Sequence, residues 1–121
     1  MVGILPLTPE TKDFFNAATF KMMKKTAVFM SIGRGPTVKE DDLIKALKKK
    51  VIAGAVLDVF TKEPLPATSD LWKLPNVLIT PHCADQDPEW QVRSMQIMSD
   101  NIKLFKQGKP LKNVCEKKRG Y

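Results

Sequence analysis

The apolar stretches of this chain are short and continuous, and that pattern constrains its fold more than any other feature. Ala27-Val28-Phe29-Met30-Ser31-Ile32, Ala53 to Val59 (broken only at Asp58) and Val77-Leu78-Ile79 are too short for typical helices. Strict alternation would mark strands with one wet face, whereas continuity predicts strands covered on both faces of a parallel sheet. Gly3-Ile4-Leu5 before Pro6 reads as the end of another short buried strand. Helical patterns separate the runs. Asn16 is placed to cap a short helix through Phe20 and Met23. Glu40 to Lys50 spaces Leu43, Ile44 and Leu47 at helical intervals, acidic in its first turn and lysine-rich in its last, as the helix dipole favours. Asp87-Pro88-Glu89 supplies a cap, a first-turn proline and an acidic first turn for a last helix. Met95, Met98, Ile102 and Phe105 lie along one face of that helix, and Gly108 and Pro110 end it. Strand and helix alternate, which predicts an α/β fold with a parallel sheet and a long C-terminal helix.

With 121 residues, 43% apolar and 27% charged, the composition is that of one globular domain, and a second full domain does not fit. No apolar run approaches the roughly 18 residues of a membrane span, and Met1 to Leu7 lacks a secretory pattern, so the expected location is cytoplasmic, away from membranes. Cys83 and Cys115 form neither a disulfide framework nor a zinc spacing, and no metal site is expected. The net charge of +7 is concentrated at one end: Lys103 to Tyr121 carries seven basic residues against Glu116 alone. Residues 1–102 are nearly neutral, and residues 108–121 read as a basic tail after a domain of residues 1–107. No aromatic residues interleave with the lysines, so no specific nucleic-acid partner is expected.

Ligands of open parallel sheets bind beyond the carboxyl ends of the strands, which directs attention to Gly33-Arg34-Gly35, to Asp58 through Glu63, and to His82. Taken singly, each has a bland reading: a surface turn, a solvated carboxylate, a structural histidine. All three fall at one sheet edge, and their chemistries complement one another. A guanidinium holds a carboxylate through a two-pronged hydrogen bond, and flanking glycines are expected to leave room for a ligand to approach the backbone. An imidazole moves a proton near neutral pH, and a carboxylate beside it favours the protonated form. The set suits a small 2-oxo or 2-hydroxy acid substrate, with one group gripping the carboxylate and another managing the proton on the neighbouring oxygen.

Four ordered motifs now carry a resemblance: Leu5-Pro6-Leu7-Thr8-Pro9-Glu10-Thr11, Ile32-Gly33-Arg34-Gly35-Pro36-Thr37-Val38, Leu57-Asp58-Val59-Phe60-Thr61-Lys62-Glu63-Pro64 and Pro75-Asn76-Val77-Leu78-Ile79-Thr80-Pro81-His82. In order and spacing they resemble the C-terminal half of the D-isomer-specific 2-hydroxyacid dehydrogenases. The ending, with Gly108 to Pro110 and Lys117-Lys118-Arg119-Gly120-Tyr121, looks most like the glyoxylate and hydroxypyruvate reductase branch. The resemblance implies the second half of a Rossmann-type sheet, beginning near the fourth strand of the nucleotide domain and forming roughly the last third of a complete enzyme. It implies that Arg34 binds and polarises the substrate, that His82 protonates the carbonyl oxygen while NADH or NADPH delivers hydride, and that Glu63 keeps the imidazole charged. Leu5, Pro6, Leu7, Ile32, Gly33, Arg34, Asp58, His82 and Ala84 are the positions it assigns to the cofactor. Full-length members of the family are usually homodimers.

Two departures qualify the match. Cys83-Ala84-Asp85-Gln86-Asp87 replaces the small, Gly/Ser/Thr-rich stretch usual after the histidine, and Gly33-x-Gly35 is followed by Val38 where a dinucleotide turn has its third glycine. The chain by itself is therefore expected to be inactive. A glutamate rather than a glutamine at position 63 argues against a formate dehydrogenase. The alternative is a non-catalytic, NAD-sensing interaction protein of the corepressor type, which the resemblance also includes.

Overall fold

The computed structural model describes residues 1–118; Arg119, Gly120 and Tyr121, the end of the basic tail, lie outside the described residues. The chain forms two compact units, residues 1–84 and 85–121.

The first unit is built on four parallel strands in spatial order β1 (Val2–Gly3), β2 (Val28–Ser31), β3 (Gly54–Leu57) and β4 (Val77–Ile79). Gly3, Ser31, Leu57 and Ile79 stand in one register row across the sheet, so all four strands end at the same edge. The first strand is earlier and less buried than the sequence suggests: pairing stops at Gly3, and Ile4, expected inside a buried strand, is 66% exposed. Helix α1 (Ala17–Lys21) joins β1 to β2, and α2 (Glu40–Lys48) joins β2 to β3. As expected, Asn16 caps α1, its side-chain oxygen accepting from the amides of Ala18 and Thr19, although the helix stops at Lys21, short of Met23. Helix α2 likewise ends two residues early, because Lys50 turns into the left-handed region at φ 53°.

The core lies on one face of this sheet. Phe29 has ring centroids 5.0 Å from Phe15 and 5.3 Å from Phe20, in a buried cluster that includes Leu43, Leu47, Ile52, Ala55, Leu57 and Leu71. The opposite face differs from the expectation of burial on both sides. Val2, Met30, Val56 and Leu78 form its register row, with Val2 54% and Leu78 59% exposed. The continuous apolarity of the strands is thus real on both faces, but this face is the less buried: Met30 and Val56 on the central strands are half-buried and its edge-strand residues exposed.

The second unit holds α3 (Trp90–Lys106), which buries none of its residues. It begins later than the sequence suggests. The Asp87 side chain accepts from the amide of Glu89, and the Asp87 carbonyl from that of Trp90, so Asp87 and Pro88 form a turn ahead of the helix and no acidic residue falls in its first turn. Its end is as expected: Gly108 takes φ 64°, its amide donates to Phe105 O and that of Lys109 to Leu104 O. That pair of bonds is the Schellman arrangement glycine favours. Among the described residues no helix is long and apolar enough to cross a membrane.

Candidate active site

The candidate site residues gather at the edge where the four strands end. Because Leu57 pairs with Ile79, the next residues, Asp58 and Thr80, emerge side by side, with the amide of Asp58 on Ser31 O at 3.0 Å and that of Thr80 on Leu57 O at 3.0 Å. Asp58 is 2% exposed, and three donors surround its carboxylate: the Thr80 hydroxyl at 2.5 Å and the Cys83 amide at 2.9 Å on Oδ1, and the Ala84 amide at 3.0 Å on Oδ2. Burial alone pushes this carboxyl up, but the hydrogen bonds from Thr80, Cys83 and Ala84, helped by the charge of His82, outweigh it and hold the group below its ordinary value.

His82 follows Pro81 and stands at φ 53°, in the left-handed region that residues with a Cβ rarely enter. Its Nδ1 lies 2.7 Å from Glu63 Oε2, while Glu63 Oε1 accepts from the Phe60 amide at 2.9 Å. The carboxylate is thereby oriented by backbone on one side and orients the imidazole on the other. The Glu63 hydrogen bond, then its charge, raises the His82 pKa above the ordinary imidazole value; Asp58 adds to the rise, while partial desolvation and the positive charge of Arg34 oppose it. Reciprocally, the His82 hydrogen bond and then the Phe60 amide lower the Glu63 carboxyl. Phe60, Leu65, Trp72, Ile79 and Pro81 line a pocket of about 440 Å³ beside the pair.

Arg34 sits just past the end of β2, its side chain exposed and one guanidinium N–H on Gly33 O at 2.8 Å. A tight turn follows, in which Thr37 returns both its amide and its hydroxyl to Arg34 O, at 3.1 and 2.7 Å. The flanking glycines do something other than the sequence suggests. A Cβ on Gly33 would stand 2.8 Å from Leu5 O, and one on Gly35 1.9 Å from Phe60 O. Protein backbone fills the space expected for a ligand. The glycines let the Ile4-Leu5 and Phe60 segments close on either side of Arg34, which draws three separate motifs to one edge.

Leu5, Pro6 and Leu7 leave β1 at this edge, where Thr11 Oγ1 donates to Pro6 O at 2.7 Å and receives the Thr8 amide at 2.7 Å. Ile32 is 39% and Leu7 47% exposed, and Ala84 is exposed too. Thr80 and the Phe60 amide are the participants the sequence did not single out. Thr80 could have been found from the strand register, which sets a hydroxyl beside an acid; nothing local marks the Phe60 amide.

Comparison with known proteins is consistent with this geometry. Residues 1–84 match the model of the D-isomer specific 2-hydroxyacid dehydrogenase NAD binding domain. A glyoxylate/hydroxypyruvate reductase B of Citrobacter koseri is 46% identical over 91% of the chain and 34% of its own length. Among solved structures, a D-isomer specific 2-hydroxyacid dehydrogenase of Xanthobacter autotrophicus in complex with NADPH and MES superposes with TM-score 0.89 at 42% identity, over 99% of this chain and 49% of that one. An NADPH-dependent glyoxylate/hydroxypyruvate reductase of Sinorhizobium meliloti in complex with NADP and sulfate gives 0.88 at 40%, over 99% and 39%. The chain spans 34% to 40% of the length of the curated relatives it matches. By its matched motifs and its parallel sheet, the chain belongs to the NAD binding domain family of the D-isomer specific 2-hydroxyacid dehydrogenases.

Proposed function

We propose that this chain supplies the acid/base and carboxylate-binding groups of an NAD(P)-dependent reductase that converts small 2-oxo acids, glyoxylate or hydroxypyruvate, to D-2-hydroxy acids. The observation that carries the reading is the 2.7 Å pair of His82 Nδ1 and Glu63 Oε2 at the sheet edge that also bears Arg34. With Nδ1–H donated to Glu63, the protonated imidazole offers Nε2–H to the carbonyl oxygen of the substrate, and Glu63 stabilises the positive charge until the proton leaves. Arg34 binds the substrate carboxylate, its fixed planar donors setting the orientation of the carbonyl relative to His82. The nicotinamide cofactor, when bound, supplies hydride to the carbonyl carbon. The proton from His82 completes the alcohol and leaves the imidazole neutral, to be recharged from solvent.

The residues present fit the nicotinamide end of that cofactor. Exposed Ile32 and Leu7, with Leu5, Pro6, Gly33 and Ala84, form an apolar border at the same edge, suited to a flat ring. No Gly-x-Gly-x-x-Gly turn, the usual seat of the pyrophosphate, occurs in the 121 residues.

A chimera tests the reading: residues 1–121 replacing the matching segment of the Xanthobacter autotrophicus relative, assayed by NADPH oxidation. The expected result is turnover of glyoxylate or hydroxypyruvate that His82→Ala abolishes and Arg34→Ala reduces mainly through substrate binding. A folded chimera that oxidises no NADPH with either acid overturns it.

A further inference from the structure

We propose that Asp58 and Thr80 form a clamp that holds His82 in its left-handed backbone conformation, so that Asp58 is a positioning residue acting through His82. The chain on both sides of His82 is tied to one buried anion. Thr80, two residues before, donates its hydroxyl to Oδ1, while Cys83 and Ala84, one and two residues after, donate their amides to Oδ1 and Oδ2. Thr80 is further anchored in the sheet through its amide on Leu57 O, and Pro81 has its φ fixed by its ring. Pro81 and His82 lie between the residues tied to Asp58, and with the φ of Pro81 fixed it is His82 that absorbs the bend at φ 53°. Two successive amides turned on one anion is the concave arrangement that a left-handed residue produces. The conformation is unfavourable for a side chain with a Cβ, and such backbone persists where its surroundings over-determine it. With the bend set, Nδ1 meets Glu63 Oε2 at 2.7 Å.

The catalytic consequence rests on the role of His82 proposed above, but the clamp can be read without turnover. His82 is the only histidine of the chain, so its resonances are unambiguous in the intact 121-residue protein. In the unmodified chain the Cys83 and Ala84 amides are expected to exchange with solvent roughly tenfold or more slowly than random-coil amides. The one-bond Cα–Hα coupling of His82 is expected to report positive φ. Asp58→Asn offers a donor where the carboxylate accepted, and Thr80→Val removes the hydroxyl at nearly constant shape and charge. Both are expected to release the two amides, to move the His82 coupling to its negative-φ value and to lower the imidazole midpoint as the Glu63 bond loosens.

If Asp58 acted on His82 only as a charge, among the Glu63 and Arg34 charges that also reach it, Asp58→Asn would lower the midpoint with the coupling unchanged, and Thr80→Val would change neither. That result overturns the clamp. Random-coil exchange of both amides in the unmodified chain overturns it as well, without any variant having to fold. A chimera whose turnover survives His82→Ala, with the clamp signatures present, would instead overturn the proposed function and leave the clamp standing.

Discussion

At the scale of single residues, the behaviour of His82 is set by one carboxylate. Its pKa is raised in the folded chain, so the stability it derives from Glu63 is fully present below the unfolded imidazole value near 6.5 and disappears as the pH rises through the higher folded value. The Glu63 carboxyl is lowered, so the same stability is lost again as the pH falls below the ordinary 4.5 and through its folded value. Glu63→Gln keeps the shape and the bond from the Phe60 amide but removes the charge. Its loss of stability, followed by urea unfolding at several pH values, should be greatest between those two limits and smaller in alkali. Proton NMR should show the His82 midpoint moving down; an unchanged midpoint would return Glu63 to the bland reading of a carboxylate on a proline-rich loop. In the chimera the same substitution should move the upper limb of the reductive pH profile downward, because the acid form of His82 vanishes sooner. Gly35 is constrained as tightly, by sterics. A Cβ there would lie 2.0 Å from Phe60 C as well as 1.9 Å from its oxygen, so backbone must move. Gly35→Ala should cost about 3 kcal/mol or more by denaturant unfolding.

At the scale of elements, the strands and helices follow local chemistry closely, and the deviations occur at their ends. Helix α3 stops where Gly108 turns left-handed, and a Cβ there meets nothing within 4 Å. Gly108→Ala therefore carries only the backbone cost, about 1 kcal/mol, and should fray the last turn in amide exchange without disturbing residues 1–84. The start of the same helix shows the competition that local reading misses: the Asp87 carboxylate caps a turn, bonding the Glu89 amide two residues on, and so delays the helix. On β2 and β3 the inward positions Phe29, Ala55 and Leu57 are buried, whereas Val28 on the other face is 44% exposed.

At the scale of the whole molecule, the chain bears the proposed acid/base edge and no Gly-x-Gly-x-x-Gly turn. Positioning of hydride donor and acceptor is worth roughly 7 to 11 kcal/mol of barrier in bimolecular reactions. The isolated 121-residue protein is accordingly expected to show no steady-state NADH or NADPH oxidation with glyoxylate or hydroxypyruvate; turnover above a blank that His82→Ala abolishes would refute this. Exposed apolar side chains on the sheet face of Val2 and Leu78, and Met95, Met98, Ile102 and Phe105 on α3 at 62%, 56%, 52% and 75%, offer apolar surface for association. Light scattering should show concentration-dependent association, and a hydrophobic dye should bind; a monodisperse monomer that leaves the dye dark would contradict the expectation.

The parallel α/β class, the positions of β2, β3 and β4, the Asn16 and Gly108 caps and the edge bearing Arg34, Glu63 and His82 were legible in the sequence, since periodicity, capping and turn chemistry act over a few neighbouring residues; β1 was not, because its apolar residues Ile4 and Leu5 lie past the strand. The motif resemblance, not spacing, paired Glu63 with His82. Tertiary structure alone decided what surrounds these groups. The contact of Gly35 with Phe60, the setting of Asp58 beside Thr80 and the bend at His82 depend on the register of strands far apart in the chain and on where one backbone crosses another. Such register is fixed by burial of the whole sheet face around Phe29, and no short stretch of side chains encodes it.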